Sequence, residues 1–331
     1  MDDRRTLRFV AAVLLFLAPH VARAADTIKI SVIKAAAYGS IFVAVERGYF
    51  AAENLEPELV FFEASPPIAV AVVAGDLDIG IGATSAAFFA LGDKLRIIGG
   101  FAHEEPGFQG MTFVASNRGW DAGLRALKDL GGHSVAIGTI GSSPHYSLAL
   151  IEEKYGIDPK SIRMLPLQTV SNQVSALIGG QADAGVTIST GLMPAIKKDQ
   201  VKLLGFVGDE TPWQLSSMFA GKKTLDERRD VVERFMRAYK KGAHDYIAAF
   251  AGPDGKRRDG PRAPDILAIM AKYMGQTPQE LTAAIGYVDP DARVDVRDLA
   301  RQVAWYKAQG MLKGDVDTNS VLDQRFAVAL P

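Results

Sequence analysis

The chain has 331 residues, with 37 Lys and Arg against 38 Asp and Glu and no cysteine. A net charge of −1 without a basic stripe excludes a nucleic-acid partner. The absence of cysteine excludes disulfides, thiolate metal sites, a cysteine nucleophile and a lipid-modified N-terminal cysteine.

At 48% hydrophobic and 23% charged the composition is that of an ordinary globular protein. The length suits two compact lobes of about 100–200 residues each.

The first 25 residues stand apart. Arg4, Arg5 and Arg8 precede an apolar run at 9–18, and Ala22-Arg23-Ala24 follows. A positive start, a short apolar run and an A-x-A site predict a secretory signal peptide over 1–25, cut after Ala24 or Ala25. The run is shorter than the roughly 20 residues that span a bilayer. The mature protein is therefore expected in a Gram-negative periplasm, soluble and not a lipoprotein.

Residues 27–33 (TIKISVI) alternate as a strand does. A small-residue turn, Ala35-Ala36-Ala37-Tyr38-Gly39, leads into a helix expected over 41–50 and closed by Gly48. Strands at 57–63, 78–82, 95–101 and 111–115 alternate with a helix that Ser65-Pro66 opens and a second helix at 86–91. Strand and helix in alternation predict an α/β fold with largely parallel sheets.

The pattern then repeats at a constant offset of 105 positions. Ile30 meets Val135, Tyr38 meets Ser143, Thr84-Ser85 meets Ser189-Thr190, and a G-x-x-D-x-G at Gly75–Gly80 meets another at Gly180–Gly185. This predicts two lobes on one plan. Strands 111–115 and 216–221 bracket the second copy, so lobe 1 is expected over 26–115 and 217–331 and lobe 2 over 116–216, with a hinge between. Helices are expected at 193–198, 227–250, 265–274, 278–285 and 296–309, and 252–264 reads as a solvated loop.

Ligands of open α/β sheets bind at the carboxyl ends of the strands. The repeat places four loops there, at 35–40, 82–86, 139–145 and 187–191. All four are rich in small residues and hydroxyls and poor in charge. In GTIGSSPHYSLALIEEKYG (138–156) a strand runs into a Gly/Ser turn and a helix that Ser142 or Ser143 caps, with Pro144 at its first position. Free N–H groups and the positive end of the helix dipole then face an anion.

Enzyme signatures are weak. Gly80–Ser85 falls one residue short of a dinucleotide fingerprint, and neither a nucleophile elbow, a phosphate loop nor a metal-binding histidine spacing occurs. His103 beside Glu104 and Glu105 reads as part of a solvated loop. His145 at the helix start is placed to donate to an anion and has no acid or base partner nearby in sequence. Tyr38 and Trp213 are aromatic candidates for covering the organic part of a ligand.

AVERGYFAAEN (44–54), AGDLDIGIG (74–82), the stretch 138–156 and GQADAG (180–185) together resemble the periplasmic solute-binding proteins of ABC importers. The similarity is to the sulfonate-, taurine- and nitrate-binding type, which includes pyrimidine-precursor binders, and it runs from about 28 to 330.

The resemblance implies a type II two-lobed periplasmic binding protein fold that closes on a small solute and delivers it to a membrane permease. It implies that the turn at Ser142-Ser143 bonds an anionic head group and that Thr84-Ser85 faces it. The chain lacks the Cys-rich motif of the relatives that act as enzymes.

The expected ligand shell is Tyr38, Gly39, Thr84, Ser85, Ser142, Ser143, His145, Thr190 and Trp213. No catalytic residue, metal or cofactor is expected. The ligand is expected to be a small organic sulfonate or carboxylate, since nitrate needs little apolar cover, and the protein is expected to act as a monomer. A periplasmic lyase or hydrolase working through His145 is the alternative, and a sensor that docks on a signalling receptor is a third.

Overall fold

A computed structural model describes residues 24–314 and 316–331. The expected signal peptide lies outside the described residues, apart from its last two.

In chain order the strands are β1 (Asp26–Ile33), β2 (Leu55–Phe62), β3 (Ile79–Ala83), β4 (Leu95–Gly100) and β5 (Ala102–Glu104). Then come β6 (Met111–Ser116), β7 (Ser134–Ile137), β8 (Arg163–Pro166), β9 (Ala184–Ile188) and β10 (Val201–Phe206). The last are β11 (Trp213–Gln214), β12 (Ser216–Gly221), β13 (Tyr287–Val288), β14 (Arg293–Val294) and β15 (Val328–Ala329).

Two five-stranded sheets form, in the orders β2-β1-β3-β12-β4 and β8-β7-β9-β6-β10. In each, three parallel strands are followed by one reversed strand and a fifth that runs with the first three: β12 pairs antiparallel with β3 and β4, and β6 antiparallel with β9 and β10.

The offset of 105 persists at the level of single bonds. Ile30 pairs with Ile79, and Val135 with Ala184. Lys29 N donates to Asp78 Oδ2 at 2.9 Å, and Ser134 N donates to Asp183 Oδ2 at 2.9 Å. The conserved-spacing aspartate of each copy thus pins the start of the first parallel strand to the start of the third.

One expectation is corrected. Strand 111–115 is expected in the first lobe, yet β6 lies in the second sheet, between β9 and β10. The links between the sheets are instead β5 and β11, which pair antiparallel, with β13 on the other side of β5. An apolar strand fits an antiparallel position in either sheet equally well, so its sequence does not carry the choice.

The first sheet is packed by the helices Gly39–Glu46 and Arg229–Phe250. The second of these turns Val231, Phe235, Ala238, Tyr239 and Tyr246 inward. It approaches the first closely at Gly242, where a Cβ would lie 2.4 Å from Ser40 O.

The expected helix 41–50 is broken into Gly39–Glu46 and Tyr49–Ala52, because Gly48 adopts φ 68. The helix expected at 193–198 starts earlier, as Ser189–Lys197, and contains Pro194. His103 and Glu104, expected in a solvated loop, are buried in β5. Phe108 is also buried, edge-on to Tyr287 at 5.3 Å. Among the described residues no helix is long and apolar enough to cross a membrane.

Candidate functional site

The carboxyl ends of the parallel strands face one another across a cavity of about 90 Å³. Ile33, Glu63 and Ala83 reach it from the ends of β1, β2 and β3; Gly138, Gln168 and Thr187 reach it from the region of β7, β8 and β9. At roughly 10–15 Å³ for each water-sized group, it holds about six to nine such groups.

Two further spaces adjoin it. One of about 160 Å³ is lined by Lys34, Glu63, Thr190 and Gln276 among others, and one of about 70 Å³ by Tyr38, Phe101 and Ser143 among others. Ile33 and Ile188 line all three.

Three helices begin at the main cavity. Ser65 and Pro66 open Pro66–Ala74; Ser142, Ser143 and Pro144 open Ser143–Tyr155; Val170 opens Val170–Ile178. The first N–H groups of a helix have no intrahelical acceptor and carry the positive end of its dipole. Among the described residues, no Lys, Arg or His lines this cavity, and Glu63 is its single ionisable lining residue. The site therefore offers neutral donors and oriented dipoles rather than a cationic side chain, a combination that suits a small anion.

The expected residues fall into three groups. Ser85, Ser142 and Ser143 line the main cavity. Ser85 accepts from Phe88 N at 3.3 Å and so caps its own helix. Ser142 is the cap of the 143–155 helix by backbone position, but its hydroxyl donates to Thr139 O at 2.6 Å and makes no side-chain cap bond. Ser143 therefore takes the first helical position that was expected for Pro144. Among the described residues, no hydrogen bond engages the Ser143 hydroxyl.

Tyr38 and Thr190 border the adjoining spaces. The Tyr38 hydroxyl donates to Ile81 O at 2.7 Å, and its ring packs 4.9 Å from Phe101. Thr190 Oγ1 donates to Lys34 O at 2.9 Å, while Thr190 O accepts from Gln276 Nε2 at 2.9 Å. On the other flank Ala86 N donates to Gly141 O at 3.1 Å. These bonds tie the two sheets' loops together on both sides of the cavity.

Gly39, Thr84, His145 and Trp213 line none of the three spaces. Gly39 is buried against Met270 and Tyr246. Thr84 Oγ1 donates to Gln302 Oε1 at 2.7 Å. His145 Nδ1 accepts from Gly141 N at 3.0 Å, and its ring meets Trp305 edge-on at 5.0 Å. Burial pushes the His145 imidazole down to about 4, so it is neutral near pH 7 and shapes the turn from behind. Trp213 packs 4.9 Å from Tyr146 in the core of the second sheet.

Four polar lining residues lie outside the loops expected at the site: Glu63, Ser65, Gln168 and Gln173. Ser65 had a visible signal as a cap before Pro66. Its hydroxyl accepts from Ala83 N at 3.0 Å and so joins two loops of the same sheet. Gln173 is 2% exposed, its Nε2 donates to Thr169 O at 3.3 Å, and its Oε1 has no partner. A buried acceptor left unmade costs about 1–3 kcal/mol.

A family model described as NMT1/THI5 like matches residues 36–253. No curated protein matches the chain. Among solved structures, the chain is similar to the alkanesulfonate-binding protein SsuA from Xanthomonas axonopodis pv. citri bound to MOPS, with a TM-score of 0.71 at 18% identity, covering 91% of this chain and 99% of that one.

It is also similar to the periplasmic nitrate-binding protein NrtA from Synechocystis PCC 6803, with a TM-score of 0.70 at 11% identity, covering 91% of this chain and 86% of that one. The desulfurization enzyme DSZB gives a TM-score of 0.65 at 13% identity, covering 91% and 97%. At these identities the likeness establishes the fold, which is the two-lobed periplasmic binding protein fold expected from the sequence.

Proposed function

The chain belongs to the NMT1/THI5-like family, and we propose that it is the substrate-binding component of an ABC importer, capturing a small organic anion and handing it to a membrane permease. The two lobes are 26–101 with 216–331, and 105–212; β5 and β11 form the hinge. The N-terminal signal directs export, and the periplasm is the working compartment. The protein works as a monomer that closes over its solute.

The observation that carries this reading is the convergence of three helix N-termini on a cavity without a basic side chain. The Ser143 hydroxyl and the open N–H groups of the 143–155 helix hold the sulfonate or carboxylate. Ser85 faces them from the other sheet. Ile33, Val170 and Ile188 cover the apolar body. Micromolar affinity corresponds to about −8 kcal/mol, within reach of a few such bonds plus buried apolar area.

A catalytic role for His145 has little support. Its Nδ1 is occupied by Gly141 N, and the residue lies off the cavity.

Thermal unfolding of the chain lacking residues 1–25 tests the reading, with alkanesulfonates, carboxylates, nitrate, neutral sugars and alkylammonium salts as ligands. A ligand at 100 times its Kd stabilises by about 2.7 kcal/mol. At least one organic anion is expected to raise Tm. A rise with sugars or alkylammonium ions alone would remove the reading.

A further inference from the structure

One helix of the first lobe, Val296–Ala308, touches the second lobe without lining the cavity. Its first turns hold the link strand β11. Asp298 Oδ2 accepts from Gln214 N at 2.9 Å, and Gln302 Nε2 donates to Gln214 O at 2.9 Å. The same face ties the helix to the first sheet. Gln302 Oε1 accepts from Thr84 Oγ1 at 2.7 Å, and the Tyr306 ring packs 6.1 Å from Phe89.

Trp305 packs on the other lobe. Its half-buried ring meets His145 edge-on at 5.0 Å and Tyr146 at 5.2 Å, both on the helix Ser143–Tyr155. His145 in turn braces the turn before that helix, since its Nδ1 accepts from Gly141 N at 3.0 Å. Gly141 is where the two lobes come closest on this flank. Its carbonyl accepts from Ala86 N at 3.1 Å. A Cβ on Gly141 would lie 3.0 Å from Ala86 Cβ and 3.3 Å from Met311 Sδ. Trp305 and Met311 line none of the three spaces.

We infer that Trp305 is a closing latch: a side chain of the first lobe that grips the Gly141–His145 turn of the second and so stabilises the closed cleft without touching the solute. The inference rests on the lobe closure proposed above and adds the residue that sets how far the closed form is populated. The helix is bonded to the first sheet at Thr84, so parting the lobes pulls Trp305 away from His145 and Tyr146. Opening then loses two edge-on ring contacts and wets the apolar surface between them. A contact present in one state and absent from the other shifts the balance between the two.

The absence of cysteine makes the test direct. Val70→Cys on Pro66–Ala74 and Ile178→Cys on Val170–Ile178 place one spin label at an exposed position in each lobe. Double electron–electron resonance on this labelled chain lacking residues 1–25 reads the distance between the lobes. Without added solute, Trp305→Leu is expected to lower the ratio of short to long distances about tenfold. Trp305→Phe keeps one smaller ring and is expected to lower it about threefold. Unfolding midpoints are measured alongside, and Trp305→Phe carries the test where Trp305→Leu does not fold.

An unchanged or raised ratio in both variants, with ethanesulfonate still shortening the distance, overturns the latch and leaves lobe closure in place. A distance that neither ethanesulfonate nor either substitution alters removes lobe closure and the latch with it.

Discussion

The two sheets are copies in strand order, register and pinning aspartate, yet they treat the same turn in opposite ways. At the position after the first strand of each copy, one has Tyr38 and the other Ser143. Tyr38 fills its turn with a ring, and its hydroxyl is spent on Ile81 O. Ser143 is small and uncommitted, so its helix start stays open to the cavity. The first copy's turn is filled by core packing, and the second's stays open to the cavity where the proposed ligand site lies.

The sharpest way to break this comparison is truncation at the two equivalent positions. Tyr38→Ala is expected to lose about 3–5 kcal/mol of stability, as buried aromatics do. Ser143→Ala is expected to change stability by less than about 0.5 kcal/mol. Chemical denaturation measures both, and similar losses would mean that the two turns have the same job.

The shared aspartates give the next effect. Asp183 accepts from both Ser134 N and Ser134 Oγ and pairs with Arg118 at 2.7 Å. Although partial burial works the other way, these bonds hold its carboxyl down to about 2. A folded value below the unfolded one gives stability that is present above about pH 4 and is lost as pH falls through about 2. Asp183→Asn is expected to cost about 1–3 kcal/mol at pH 7, with the cost shrinking toward pH 2. A cost independent of pH would contradict the assignment.

The strands that link the two sheets, β5 and β11, belong to neither copy. Burial pushes the Glu104 carboxyl up to about 8, its Oε1 lacks a partner, and Met111 N donates to Oε2 at 3.2 Å. A raised folded value gives stability that is complete below the unfolded value near 4 and is lost as pH rises through about 8. Glu104→Gln is therefore expected to match the wild type at pH 4 and to exceed it by up to about 5 kcal/mol at pH 9. Parallel loss of stability from pH 4 to 9 in both proteins would show that Glu104 does not titrate in this range.

Much of the fold was legible because it rests on periodicity. Alternation located most of the strands of the two main sheets, and the offset of 105 anticipated equivalent strands, which pair alike, Ile30 with Ile79 and Val135 with Ala184. Sheet membership of residues 111–116 was not legible, because the pairing partner of an antiparallel strand is not encoded in its own pattern.

The site was legible as loops and less so as side chains. Thr84, His145 and Trp213 look free in sequence, but Gln302 bonds the Thr84 hydroxyl, and the rings of Trp305 and Tyr146 pack against His145 and Trp213 from distant segments. Gln173 looks like an ordinary helix-face glutamine, and only the fold turns it inward beside the cavity. His103 and Glu104 read as solvated because charge usually is, whereas the hinge strand draws them into the interior.

The central claim is that the open helix start at Ser143 holds an anion. Ser143→Asp tests it most directly, because the two effects have opposite signs. A carboxylate in the first turn stabilises a helix by about 0.3–1 kcal/mol, so Tm is expected to hold or rise. The same carboxylate occupies the anion's place, so calorimetry is expected to show loss of organic-anion binding. An unchanged affinity in a variant with undiminished Tm would contradict the claim and move the anion elsewhere in the cleft.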